Sequence, residues 1–284
     1  MADINTLVDD IYALFDPESD HEASDELLDE FANNLKEILR LRLKASSRRE
    51  GKAIRFSALG KKDRQVWMDN HPDVEREEQL RPQTFLKFLY GDVIEQLYLY
   101  LAKEAGHSVT DEQKEIEVGG IYGHIDAIID GHVVDVKSAS SFGFDKFRKG
   151  TVEQDDPFGY VEQLSGYASV LTPDKDAYWF AVDKSTGDMC ITKLSKETIK
   201  HYLPEPRIEH LKQVVESPEP PGLCYQPVPD GKSGNMKLDT GCSYCQHKFR
   251  CFPDVRTFIY STGPRYLTQV VRTPDVYEVS RQPE

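Results

Sequence analysis

The sequence predicts an α/β protein: a central mixed sheet flanked by helices, followed by a small cysteine-rich metal-binding segment. Three observations carry that expectation. Helical stretches alternate with short β-rich runs, which favours a layered α/β arrangement. Two of the runs are joined by Asp130-Gly131, a strong hairpin signal because a two-residue type I′ turn needs positive φ at both positions. Four of the five cysteines crowd into residues 224–251, where the chain is too polar to bury them as small hydrophobes.

In chain order, residues 1–23 are acidic and read as a flexible or partner-binding tail. Ser24 is placed to cap a helix over about 25–45, in which Leu27, Leu28, Phe31, Leu35, Ile38 and Leu39 follow the helical period. Residues 24–84 then make an N-terminal helical, basic region. A second helix covers about 84–104, with Phe85, Leu89, Val93, Leu97 and Leu101 turned to a core and Gly106 as its C-cap. Strands at 114–129 and 132–137, a loop at 138–157, a helix near 158–171, strands at 176–182 and around 189–192, and a helix near 205–216 complete a core over 85–216. The Pro-rich stretch 217–238 has loop composition and opens a 217–284 segment made of the cysteine site and a C-terminal tail.

With 284 residues and no internal repeat, the chain is one large domain or a core with appended pieces. It holds no run of about 18 apolar residues, and its first residues lack the basic and apolar regions of a secretory signal, so the expectation is a cytoplasmic protein with no membrane span. An odd number of cysteines fits a reducing compartment better than a disulfide framework. The net charge of −14 is unevenly spread: residues 1–30 hold eleven acids and no Lys or Arg, leaving −3 for the rest. Residues 31–64 carry eleven Lys/Arg against three acids, a local +8 that can follow a phosphate backbone or form a solvated helix face.

The hairpin carries the chemistry. If Asp130 and Gly131 are its loop, the register sets Asp126 opposite Asp135, with Cβ atoms roughly 4.5–5.5 Å apart. Lys137 shares the Asp135 face with His124 across from it, while Ile125, Ala127, Val134 and Val136 face the other way. Opposed like charges destabilise a sheet, so the pair calls for solvation, a shared proton, neutralisation by Lys137, or a divalent cation held by the carboxylates and a main-chain carbonyl. Further on, Cys242-x2-Cys245-x5-Cys251, preceded by Cys224, has the spacing of tetrahedral thiolate ligation, and His247 can replace a sulfur in a zinc site. Thiolates alone do not separate Zn2+ from a [4Fe–4S] cluster.

These residues together resemble the RecB-like branch of the PD-(D/E)xK nucleases, which includes phage exonucleases and iron–sulfur nucleases of recombination and CRISPR adaptation. Gly91-Asp92-Val93-Ile94-Glu95 looks like the helical first motif, Asp126 like the second-motif aspartate, and Asp135-Val136-Lys137 like the D-x-K element. Gln163-Leu164-Ser165-Gly166-Tyr167 has the form of the QhxxY motif, and Arg55-Phe56-Ser57-Ala58-Leu59-Gly60 with Arg64 and Trp67 is similar to the opening segment of the nuclease region. The resemblance covers about 55–253 and departs where cluster-bearing relatives supply a first cysteine, since this chain has Lys61, Lys62 and Asp63 there.

The resemblance implies a restriction-endonuclease-like core and a Mg2+- or Mn2+-dependent DNA exonuclease acting in phage or host recombination, replication or degradation, in a bacterial host cytoplasm if phage-encoded. Glu95, Asp126, Asp135 and the Val136 carbonyl would hold the ion, with Lys137 and Gln163 completing the catalytic set. Cys224, Cys242, Cys245 and Cys251 would hold Zn2+ or a [4Fe–4S] cluster. Ser57, Arg64, Lys146, Arg148, Lys149, Tyr160 and Tyr167 would contact DNA, although Tyr160 and Tyr167 can equally be core residues, and the acidic N-terminus would meet a recombination or single-strand-binding partner. The alternatives are a structure- or site-directed endonuclease with the same active site, and a non-catalytic, metal-stabilised DNA-binding protein.

Overall fold

A computed structural model describes residues 2–44, 53–71, 74 and 82–279. Its elements are helices α1 (Leu7–Ala13), α2 (Asp25–Leu43), α3 (Asp63–Asn70) and α4 (Pro82–Glu104); strands β1 (Val109–Thr110), β2 (Glu115–Val118), β3 (Ile121–His124), β4 (Ala127–Ile129) and β5 (His132–Ala139); helices α5 (Ser141–Arg148) and α6 (Tyr160–Leu171); strands β6 (Ala177–Asp183) and β7 (Met189–Leu194); and helices α7 (Lys196–Ile199) and α8 (Pro204–Glu216). After these come β8 (Val228–Pro229), β9 (Met236–Lys237), α9 (Thr240–Tyr244), α10 (Lys248–Cys251), β10 (Arg256–Tyr260), β11 (Gly263–Gln269) and β12 (Tyr277–Val279). The chain divides into two compact units, Met1–Gly60 with Leu80–His210, and Lys61–Gln79 with Leu211–Glu284.

The first unit is built on a mixed sheet of order β1-β4-β5-β6-β7, antiparallel except for the parallel β5–β6 pair. The β4–β5 hairpin has the expected register, Ile129 opposite His132 and Ala127 opposite Val134, and its turn residues Asp130 and Gly131 sit at φ 50° and 80°. Every residue of β6 is buried, as befits a strand with neighbours on both sides and layers above and below. One sheet face packs Ala127, Ile129, Val134, Val136, Phe180 and Val182 against Leu99 and Ala102 of α4 and against Ile4, Leu7 and Ile11. The opposite face, which alternation gives to Asp135, Lys137 and Trp179, is covered by α5 and α6, with Phe147 6.2 Å from the Trp179 ring.

Residues 1–23 are not a flexible tail throughout. A 3-10 turn at Ile4–Thr6 leads into α1, and Ile4, Leu7 and Ile11 are 2 % exposed or less in the core. Their 4-7-11 spacing is helical, and the surrounding acids occupy the outer face, where Asp9 and Asp10 complement the positive end of the helix dipole. Buried His107 fastens this segment, with Nδ1 2.7 Å from Asp130 and Nε2 3.2 Å from Asp10.

Helix α2 forms as expected behind its Ser24 cap, yet none of its residues is buried. It lies on α4 through a Phe31–Tyr100 stack at 5.2 Å, Lys103 to Glu30 at 2.7 Å, and a two-pronged Arg42–Asp92 pair. In α4 the buried residues are Gln96, Leu99 and Ala102; of the expected stripe, Leu101 packs partly buried against the core, whereas Phe85 is exposed. The helix is apolar almost all round, so periodicity does not choose its inner face. The stretch 138–157 is not all loop either: Ser140 caps α5, which buries Phe144 and Phe147.

In the second unit, residues 61–70 join the C-terminal part of the chain, so 24–84 is not one region: Trp67, Met68 and Val74 cluster with Val214 and Cys251. The C-terminal residues are likewise not a tail. They form an antiparallel sheet of order β12-β10-β11-β9-β8, whose Phe258 and Leu267 are fully buried. Among the described residues no helix is long and apolar enough to cross a membrane.

Candidate functional site

The first candidate site forms at the C-terminal part of β5. Asp135 is buried and Lys137 half-buried, and the Lys137 ammonium donates to Asp135 Oδ1 at 2.8 Å. Asp135 Oδ2 lies 2.7 Å from the same nitrogen but outside hydrogen-bonding geometry, a buried oxygen with no hydrogen-bond partner among the described residues. The ladder ends one step before the expected Asp126–Asp135 pair. There the Asp126 carboxylate replaces the missing backbone acceptor, taking the Val136 N–H at 2.7 Å. Because the two groups of a strand residue point to one side, the Val136 carbonyl faces that same edge. His124 does not oppose Lys137: the strand breaks at Ile125, and His124 pairs with Glu115 on the β2–β3 hairpin.

Glu95 joins this group from α4, half-buried and within electrostatic reach of Asp92, Asp135 and Lys137. Burial pushes its carboxyl up to about 7, assisted by Asp92 and Asp135 and opposed by a hydrogen bond from Gln113 Nε2 at 2.5 Å. Burial also raises Asp126 well above the usual carboxylate range, with Glu95 and Asp135 adding to it. Burial works against the Lys137 charge, but Asp135 and Asp126 outweigh it and hold the ammonium protonated. Oxygen donors crowded to the point of retaining protons, one of them unbonded, are the electrostatic situation that a hard divalent cation relieves.

Helix α6 supplies the wall. The Lys137 ammonium lies 4.8 Å from the Tyr160 ring centroid, a cation–π contact. Gln163 is hydrogen-bonded to the Tyr167 hydroxyl, and burial pushes that phenol up to about 12. Tyr167 is only 4 % exposed and stacks on Phe56 at 4.8 Å, which makes it a packing residue of the site's floor and not a surface for DNA. Two glycines make room for that stack: a Cβ at Gly123 would fall 2.4 Å from Phe56 Cβ, and one at Gly166 2.7 Å from its ring.

Of the other residues expected to meet DNA, Ser57 is exposed in the turn Phe56–Ala58. Lys146, Arg148 and Lys149 lie on or just after α5, where Asp155 pairs with the first and Asp145 with the other two. Of the basic residues in 31–64, Arg48, Arg49 and Lys52 lie outside the described residues.

Arg64 is in the second unit, in a different setting. Its Nε donates to Cys251 Sγ at 3.3 Å and its Nη1 to the Pro221 carbonyl at 2.6 Å. Cys224, Cys242, Cys245 and Cys251 line one cavity with Arg64 and His247. Burial and the neighbouring sulfurs push the Cys242 thiol up to about 12, and burial leads in raising Cys245 to about 11. Asp239 caps α9, and the His247 N–H points to Cys245 Sγ at 3.4 Å. Cys224, Cys242 and Cys245, whose thiols burial and then neighbouring sulfurs hold protonated, are groups that a thiophilic cation would deprotonate and bind. Among the described residues no three His, Cys, Asp or Glu side chains are drawn to the spacing of a bound ion.

Sequence reasoning missed Phe56 as the partner of Tyr167, Gln113 as the partner of Glu95, and Asp69, which bonds His247. Only the first left a trace, as the aromatic residue of the Arg55–Gly60 stretch. No protein-family model matches the chain, and no curated protein does. Among solved structures, the crystal structure of SSO0001 is similar with a TM-score of 0.41 and 18 % identity over 78 % of this chain and 94 % of its own, a likeness too loose to carry an argument.

Proposed function

We propose that this chain is a Mg2+- or Mn2+-dependent DNA exonuclease with a restriction-endonuclease-like core of the RecB-like PD-(D/E)xK kind. The observation that supports it is the group at the end of β5: Asp135 against Lys137, with burial and Asp135 raising the proton affinity of both Glu95 and Asp126, and Glu95 adding to that of Asp126. Perturbed titratable groups clustered around a lysine are the mark of a reactive site more than of a structural ion pair.

Glu95, Asp126, Asp135 and the Val136 carbonyl form an all-oxygen donor set suited to Mg2+ or Mn2+. When bound, such an ion polarises a phosphate and lowers the pKa of water. Asp135 and the Tyr160 ring fix the Lys137 ammonium, which keeps its proton and offers positive charge to the scissile phosphate. Gln163 and Tyr167 brace the floor behind it. Ser57, Lys146, Arg148 and Lys149 are the candidates for backbone contacts, which position DNA without reading its sequence and so suit an end-processing enzyme in the cytoplasm.

The test uses end-labelled linear DNA and a closed circle, each with Mg2+ and with EDTA. Loss of the linear substrate alone, dependent on Mg2+ and abolished by Asp135→Ala, is the expected result. Cutting of the circle replaces the exonuclease with an endonuclease, and binding of both DNAs without cleavage leaves a DNA-binding protein.

A further inference from the structure

In the second unit, His247 is 2 % exposed, and its two ring nitrogens have unlike surroundings. Nε2 lies 2.8 Å from Asp69 Oδ1 and 3.2 Å from Gln246 Nε2; the carboxylate can only accept, so a neutral ring that bonds to it carries its proton on Nε2. Nδ1 is left with its lone pair, buried and without a hydrogen-bond partner among the described residues, on a side chain that lines the thiol cavity. Asp69 is itself held, by Lys61 Nζ at 2.9 Å on Oδ2 and by Gln246 Nε2 at 2.7 Å on Oδ1. A carboxylate bound to one imidazole nitrogen while the other faces donor sulfurs is the usual support of a metal-ligating histidine. A buried acceptor left empty is otherwise destabilising.

We propose that this cavity holds one zinc ion, with His247 Nδ1 and three of the four lining sulfurs as its ligands, and that Asp69 orients the ring for it. Space and charge both point that way. The cavity, about 20 Å3 in volume, has room for one ion. Zn2+ with three thiolates and a neutral imidazole carries a single negative charge, which the Arg64 guanidinium beside Cys251 balances. On binding, three thiols give their protons to solvent, and no oxidant or reductant is needed. The Cys-x2-Cys turn is already shaped for it, since the His247 N–H is aimed at the Cys245 sulfur.

The experiment reads metal and not DNA cleavage, so its failure and that of the nuclease reading are separable. Full-length protein purified without oxygen, from cells supplied with both metals, is expected to contain one zinc per chain and no iron; iron with inorganic sulfide and a broad visible absorption overturns the proposal. With Co2+ in place of zinc, the wild type is expected to give the ligand-field bands of three sulfurs and one nitrogen. His247→Cys should keep the metal and move those bands to the four-thiolate position. Four-thiolate bands in the wild type, or bands unmoved by His247→Cys or His247→Ala, overturn it. Asp69→Asn, which preserves shape, is expected to weaken zinc about 10–100-fold in chelator competition, and unchanged affinity refutes the role of Asp69.

Discussion

At the end of β5, both oxygens of Asp135 lie within 2.8 Å of the Lys137 ammonium, whereas the four thiols of the second unit share a cavity in which Arg64 bonds Cys251 and acts at a distance on Cys224. The carboxylates thus carry a counter-charge of their own and sit on a five-stranded sheet whose order does not depend on them. The thiols sit on α9 and α10, helices of five and four residues, too short to be stable by themselves. Their cluster of Leu238, Cys242 and Val255 is small. One site is prepared by its fold; the other, on the zinc proposal, depends on its ion for much of its order.

The largest expected effect follows from that difference. Stripping the cysteine metal with a strong chelator, or Cys245→Ser, is expected to remove hydrogen-exchange protection from residues 240–251, since structural zinc contributes on the order of 10 kcal/mol to folding. Protection along β5 and β6 should stay as it was after Mg2+ is withdrawn. Equal loss in both regions would remove the contrast. Next in size, Phe56→Ala is expected to destabilise the first unit by about 3–5 kcal/mol in urea unfolding, because it empties the space that Gly123 and Gly166 leave for the ring. Exchange over residues 240–251 should not change with it.

The pH response sharpens the comparison further. Glu95 has a folded value of about 7 against an ordinary 4.5, so the folded chain binds the extra proton. Without metal, the stability this gives the first unit is complete below pH 4.5 and is lost as pH rises through 7, by about 1–3 kcal/mol. Mg2+, which binds the ionised form, is expected to reverse that slope, and Glu95→Gln to flatten much of it, with Asp126 keeping the remainder. Melting temperatures against pH, with and without Mg2+, check this. A slope indifferent to both changes would mean that the carboxyl is not buried as described.

The same contrast governs what could be read from the chain. The hairpin was legible because Asp130-Gly131 specifies a local turn and the turn specifies the register from Ile129–His132 to Ala127–Val134; the counting fails one step later, where Asp126 leaves the ladder to take the Val136 N–H. The cysteine spacing was legible for the same local reason. Ile4, Leu7 and Ile11 were hidden by the acids between them, and the inner face of α4 by apolar residues on every side. The C-terminal sheet was missed because β8 and β9 are two residues long and β11 breaks register between Leu267 and Gln269. Asp69 and His247 are 178 positions apart, and nothing local announces their pairing.

The smallest expected effect concerns the ring above Lys137. A lysine already bonded to Asp135 could swing toward solvent, and the Tyr160 face at 4.8 Å opposes that swing with a cation–π attraction worth about 0.5–2 kcal/mol, or some 2–30-fold in rate if the ammonium acts on the phosphate. Tyr160→Phe keeps the ring and should stay within about twofold of the wild type, whereas Tyr160→Leu keeps bulk without the π face and should lose kcat with little change in KM, since the contact bears on the reacting phosphate and not on DNA capture. Equal losses in the two variants would move the role from ring to hydroxyl. A loss confined to KM would make Tyr160 a DNA contact, and Lys137 would then owe its position to Asp135 alone.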